Sequence, residues 1–170
     1  ARQLRNSCDS IARWQEDSSE YTVQRLSVNT GQTNFSPSWY REGIVFVSDR
    51  GGSGKGKTYE WTGRPFLDLY YSKKDKSGNY GSPEMLQGDV NGIYHEGPVS
   101  FSSRGDTMWF TRNTYVKKKT KKSGDDQVML KLCRAVRKDS VWTGVTDFEY
   151  DNISYNTGHP ADRKSTRLNS

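Results

Sequence analysis

Apolar and polar positions alternate with a period of two over short stretches of this chain, and turn residues separate the stretches. The arrangement is written twice. The first copy runs from Phe35-Ser36-Pro37 through Trp39-Tyr40 to a turn at Arg41-Glu42-Gly43, then along Ile44-Val45-Phe46-Val47-Ser48-Asp49-Arg50. The second runs from Glu96-Gly97-Pro98-Val99 through a turn at Arg104-Gly105-Asp106 into Met108-Trp109-Phe110-Thr111-Arg112. The spacing is about sixty residues, and each copy has a later partner strand, Phe66 to Tyr71 in one and Met129 to Cys133 in the other. A third copy opens at Tyr155-Asn156-Thr157-Gly158-His159-Pro160-Ala161. Units of short alternating strands cannot bury a face alone, so their repetition predicts a propeller or a solenoid.

The expected fold class is therefore all-β. It is a partial β-propeller of about two four-stranded antiparallel blades plus the start of a third, spanning 19–161. A short N-terminal helix is expected within 1–15, where Leu4, Cys8, Ile11 and Ala12 share one helical face. Tyr21 to Val28 alternates like a strand of a neighbouring blade. Gly51 to Lys57 and the lysine run should be loops at equivalent places, between the second and third strands of their blades. Asn91-Gly92 and Asn152 to Asn156 mark crossings to the next blade.

Composition changes this picture little. Aromatic residues make up 12% of the chain and carry much of the apolar area that the strands need. The net charge of +6 is concentrated in Lys117, Lys118, Lys119, Lys121 and Lys122 and in the last nine residues. The remainder is near neutral, which argues against a nucleic-acid partner. Asp162 to Ser170 reads as a translated sequencing adapter standing where the repeat requires a strand, so 162–170 is set aside from the fold. Cys8 and Cys133 fall in unrelated elements, which gives no disulfide framework.

Chemistry-bearing motifs are few. Gly51-Gly52-Ser53-Gly54-Lys55-Gly56-Lys57-Thr58 satisfies the phosphate-loop spacing, but that site needs a helix from the Lys onward. Tyr59, Trp61, Gly63 and Pro65 cannot sustain one, so no nucleotide or other cofactor is expected. Arg104-Gly105-Asp106 spells an integrin tripeptide, yet a tight hairpin favours the same residue types. His95 and His159 each precede a proline, Pro98 three residues on and Pro160 directly, and reading them as one repeat position assigns them a blade-joining role. The interaction candidates are His95, Glu96, His159 and the five lysines. No catalytic elbow, metal-binding helix or clustered Cys ligands occur, and the 20 carboxylates show no constraining spacing.

Four blocks together resemble one family: Asn34 to Pro37 with Val45 to Arg50; Trp61 to Tyr71; Tyr94 to Ser102 with Met108 to Asn113; and Gly158 to Ala161. The family is the WD40-like (PD40, TolB-like) propeller region of Bacteroidetes OmpA-family proteins, and the resemblance covers about residues 5 to 161. It implies a helical TPR region before the propeller and a peptidoglycan-binding OmpA-like domain after it. It also implies a periplasmic place at the outer membrane, in some members within the type IX secretion and gliding machinery. The implied role is a non-enzymatic scaffold that meets protein partners through its loops, with peptidoglycan reached only through a domain absent from this chain. The alternative is the non-catalytic propeller part of a peptidase or glycan-active hydrolase.

Overall fold

A computed structural model describes residues 10–11, 15–16, 19–52, 58–116, 119–120 and 128–161. These form twelve strands and no helix. Two four-stranded antiparallel sheets dominate, and neither closes on itself. The first is β1 (Asn34–Tyr40), β2 (Gly43–Ser48), β5 (Asp68–Lys73) and β6 (Glu84–Met85), in that spatial order. The second is β7 (Glu96–Phe101), β8 (Thr107–Asn113), β11 (Leu130–Lys138) and β12 (Val141–Asp147), again in chain order. Small hairpins, β3 (Thr58–Tyr59) with β4 (Arg64–Pro65) and β9 (Tyr115–Val116) with β10 (Lys119–Thr120), rise from the connection between second and third strands in each.

Both expected hairpins form. β1 meets β2 across a turn at Arg41-Glu42, with Tyr40 opposite Gly43. β7 meets β8 with Phe101 opposite Met108, and Ser102 to Asp106 makes the turn. Each first strand carries a bulge, between Phe35 and Ser38 and between Glu96 and Val99. A bulge bends the strand and increases its twist.

The core lies between the sheets. β2 is buried along its whole length because both its faces are covered. Val45 and Val47 pack with Leu69 against the second sheet, where Val99, Met108, Phe110, Cys133 and Trp142 meet them. Ile44, Phe46 and Tyr70 point the other way and are covered by Val28. Burying such side chains stabilises by about 1.5–3 kcal/mol each.

Matching hydrogen bonds show how one unit follows another. In the first sheet Leu67 N–H donates to His95 Nδ1 (3.2 Å), Glu96 N–H donates to Leu67 O (2.9 Å), and Leu69 N–H donates to Asn91 Oδ1 (2.7 Å). In the second, Leu130 N–H donates to Asn156 Oδ1 (2.7 Å), Thr157 N–H donates to Leu130 O (3.0 Å), and Leu132 N–H donates to the Asp151 carboxylate (3.0 Å). Gly97 and Gly158 are equivalent for the same reason. A Cβ on Gly97 would stand 2.3 Å from Val47, and one on Gly158 would stand 2.9 Å from Thr111. The incoming chain passes too close to the preceding sheet for any side chain there.

Two expectations are corrected, and one falls mostly outside the described residues. That one is the helix within 1–15: residues 1–9 and 12–14 are not described, and among those that are no helical element is present, one helical bond, Gln15 N–H to Ile11 O, being formed at 3.1 Å. Tyr21 to Leu26 is irregular, with Val23 96% exposed, because no neighbouring strand takes its backbone groups. His95 and His159 do not share a repeat position. The hydrogen-bond frame puts His95 level with Asn156, two residues before Gly97 and Gly158 respectively, whereas His159 follows Gly158. Counting back to the nearest proline misaligns them. Asp162 to Ser170 lies outside the described residues.

Candidate interaction surface

Strands β1 and β7 start at the same end of the sheets, and the β3–β4 and β9–β10 hairpins project there. The chain joining β6 to β7 passes through it as well. Chain direction dictates this convergence, since second strands end where first strands begin in an antiparallel meander.

The first hairpin is aromatic. Tyr59 stacks on Trp61 at 6.4 Å with 16° between planes, and Trp61 is 88% exposed. Tyr59 and Phe66 each meet the His95 ring edge-on, at 4.7 and 4.8 Å, and Phe66 meets Tyr94 at 5.4 Å. His95 Nδ1 accepts the Leu67 amide proton, which fixes the acceptor nitrogen and the ring orientation. Burial holds its pKa below the usual imidazole range, so the ring is a neutral acceptor at neutral pH. His95 thus ties the first sheet to the strand that opens the second.

Charges buried behind this fan are tied to one another. Asp49 accepts the Thr33 amide at 2.8 Å and pairs with Arg64 at 3.2 Å. Burial alone would raise its pKa, but the hydrogen bonds from Thr33 and Arg64 outweigh it and hold the carboxyl below its ordinary value. Deeper in the seam Glu96 is fully enclosed and faces Arg112 across β7–β8, Nε to Oε1 at 3.0 Å. Arg112 also donates to the carbonyls of Asp89 and Val90, both at 2.9 Å, and so clamps the chain that enters β7. Burial pushes the Glu96 pKa up to about 8, against the pull of Arg112 and with the buried Asp68 carboxylate adding to the rise. Glu96 Oε2 has no hydrogen bond of ordinary geometry. Enclosed in this way, the carboxyl can hold the seam but cannot reach a substrate while the sheets are packed.

The candidate residues therefore separate. His95 and Glu96 lie together in the seam. His159 is exposed on the far face of the second sheet, held through its backbone N–H to Thr111 Oγ1 at 2.9 Å. Lys117, Lys118, Lys121 and Lys122 lie outside the described residues, and Lys119 opens β10. Of the phosphate-loop pattern, 53–57 lies outside them too, and Thr58–Tyr59 is strand β3, so no helix starts there to receive a phosphate. Arg104 and Asp106 pair with each other at 3.0 Å. Cys133 is buried and free, its thiol pushed up to about 12 by burial, which makes it inert. Among the described residues no cluster of His, Cys, Asp or Glu could hold a metal ion, and no helix is long and apolar enough to cross a membrane.

Arg112 and Asp68 were not singled out from sequence. The turn at Arg104-Gly105-Asp106 could not have shown Arg112, because its register alone would set Glu96 opposite Asn113, and the bulge between Glu96 and Val99 moves it opposite Arg112. No family model, curated protein or solved structure matches the chain.

Proposed function

We propose that this chain is a non-enzymatic interaction scaffold, a run of blades from a WD40-like β-propeller that presents its loops to protein partners. The observation that carries the reading is the repeated stacking rule. The bonds that join the first sheet to β7 recur between β11 and residues 151–157, as a radial array of like units requires. Among the described residues at the hairpin end, Asp49 pairs with Arg64 and Glu96 with Arg112, while the large aromatic surface of Trp61 is left outward. An exposed aromatic on a rigid framework is suited to anchoring a partner.

The placement in an OmpA-family protein at the periplasmic side of the outer membrane belongs to the same proposal and rests on the sequence resemblance. Peptidoglycan would be met by a separate domain. A photo-crosslinking residue at Trp61 of the full-length protein in its host should yield discrete protein adducts that the same residue at Val23 does not. Turnover of a peptide, ester or glycoside substrate by the purified chain would overturn the scaffold reading.

A further inference from the structure

The face of the second sheet that looks away from the first holds an open cavity of about 240 Å³. Trp109 of β8, Leu132 of β11 and Phe148, just after β12, line it together with Ser100, Pro160 and Ala161. The hydrogen-bond frame gives each of the first three a counterpart in the first sheet. Leu132 matches Leu69, since the amide of each donates to the crossing segment, to Asp151 or to Asn91. Phe148 matches Leu86, because Phe148 N–H donates to Leu132 O at 2.9 Å and Leu86 N–H to Leu69 O at 3.0 Å. Trp109 matches Val45, because each stands two residues before the partner of that leucine, Thr111 or Val47.

Burial separates the two sets. Val45, Leu69 and Leu86 are buried, in one apolar cluster with Val99 and Phe110 of the sheet that covers them. Trp109, Leu132 and Phe148 are only half-buried. The seam between the sheets thus shows what covers a face of this kind. Residues 151–158 are tied to Leu130 and Leu132 as 91–97 are tied to Leu67 and Leu69. Counting on from Gly158 as from Gly97 puts Pro160 at the place of Val99 and Ala161 at that of Ser100.

We propose that this face docks a further hairpin of the same repeat, entered through 155–161, whose second strand pairs along 160–161 and sets a large apolar side chain into the cavity. Register supplies the position. Val99 stands opposite Phe110 and Ser100 opposite Trp109, so the entering side chain stands opposite Pro160. Ser102 N–H donates to Thr107 O, and bonded and non-bonded pairs alternate from there, which makes Val99–Phe110 a non-bonded pair. A proline at that place forfeits no bond to the partner strand, so Pro160 is compatible with it. The volume is below the range of about 300–1,000 Å³ that small-molecule sites occupy and suits a side chain instead. A second copy of this chain is not the occupant, because in the geometry of the seam its first strand would fall where 158–161 already lies. The inference rests on the scaffold reading and adds the strand position and the side chain that the second sheet receives.

The test is a nuclear magnetic resonance titration of the full chain with the end-capped peptide of sequence Thr107 to Asn113, the strand that carries Phe110. Saturable shifts of the Leu132 methyls and the Trp109 indole are expected, with Kd of about 1 mM or tighter, and none at Trp61. The same peptide carrying Phe110→Ser should bind about tenfold more weakly or worse, the loss of one buried aromatic side chain. Leu132→Asn in the chain, at a half-buried position, should weaken the unaltered peptide to a similar degree. No saturable shift at Leu132, equal binding by the serine peptide, indifference to Leu132→Asn, or shifts centred on Trp61 would overturn the proposal. So would a dimer of the chain in sedimentation that the peptide dissociates, since a second copy would then hold the face. Such a failure leaves the Trp61 adducts as they are, and loss of those adducts would leave the peptide shifts as they are.

Discussion

The two ends of the seam between the sheets are held by opposite means. At the Trp142 end, Tyr40 stacks on Phe101 at 4.4 Å and both rings lie against Trp142, which is 1% exposed. At the Glu96 end, a carboxyl and a guanidinium face each other, and the backbone is pinned by His95 and Asn91. Aromatic packing gains free energy wherever apolar area is removed from water, with little demand on direction. Buried charge gains little net free energy but tolerates only one geometry. The comparison teaches that the Trp142 end supplies stability to the seam while the Glu96 end sets its register.

The largest effect should come from removing the aromatic end. Trp142→Ala empties a fully buried site and should cost about 3–5 kcal/mol by urea denaturation. A loss below about 1 kcal/mol would mean that the sheets are not held there. Arg112→Met should come next, at about 3 kcal/mol, because it leaves Glu96 and the carbonyls of Asp89 and Val90 without their donor. Glu96→Gln should cost much less, since a carboxyl with its pKa near 8 is already largely neutral at pH 7.

Between pH 6.5 and 8 the titration that bears on stability should come from the Glu96 end. Its folded pKa is raised from 4.5 to about 8, so the native state holds a proton that the unfolded chain has released. The stability this contributes is full below about 4.5 and is lost as pH rises through about 8. His95 has the opposite sign. Its lowered pKa makes the unfolded chain bind the extra proton, so its contribution is lost only as pH falls below 6.5. From pH 6.5 to 8 the Glu96 slope stands clear, and stability should fall by about 1 kcal/mol over that range. Denaturation midpoints across the range should slope in the native chain and lie flat in Glu96→Gln. A slope that survives the substitution would remove Glu96 from the account. The smallest stability effect is that of Tyr40→Phe, within about 1 kcal/mol and favourable, because it removes an unbonded hydroxyl from the aromatic end.

How much of this was legible follows from what each element needs. The β1–β2 and β7–β8 hairpins were readable because alternation and turn chemistry are local to Arg41-Glu42 and to Arg104-Gly105-Asp106. β5 and β11 were readable as the partner strands of the repeat. The strand at Tyr21 to Val28 was misread, because a periodic pattern forms structure only where something covers its face or pairs its edge. Proline positions suggested that the two histidines matched, yet the repeat is kept by backbone contacts to Leu67 and Leu130. The Glu96–Arg112 pair could not be read from the turn, because the bulge between Glu96 and Val99 shifts the register by one. Nor could the cleft lined by Tyr40 and Trp142, since it exists only once Arg41, Glu84 and Arg137, distant in sequence, are brought to one opening by the docking of two sheets.

The central claim is that the two sheets form one cooperative unit fastened at both ends of the seam, the rigid framework on which a scaffold depends. Native-state hydrogen exchange tests it most directly. The amides of Val47 and Phe110, each at the centre of its sheet, and of Leu67 and Glu96 at the seam should exchange with one common opening free energy, and Trp142→Ala should lower all four together. Protection of Val47 that persists while Phe110 exchanges, or seam amides that open well below both, would show two separately folding sheets and contradict the account.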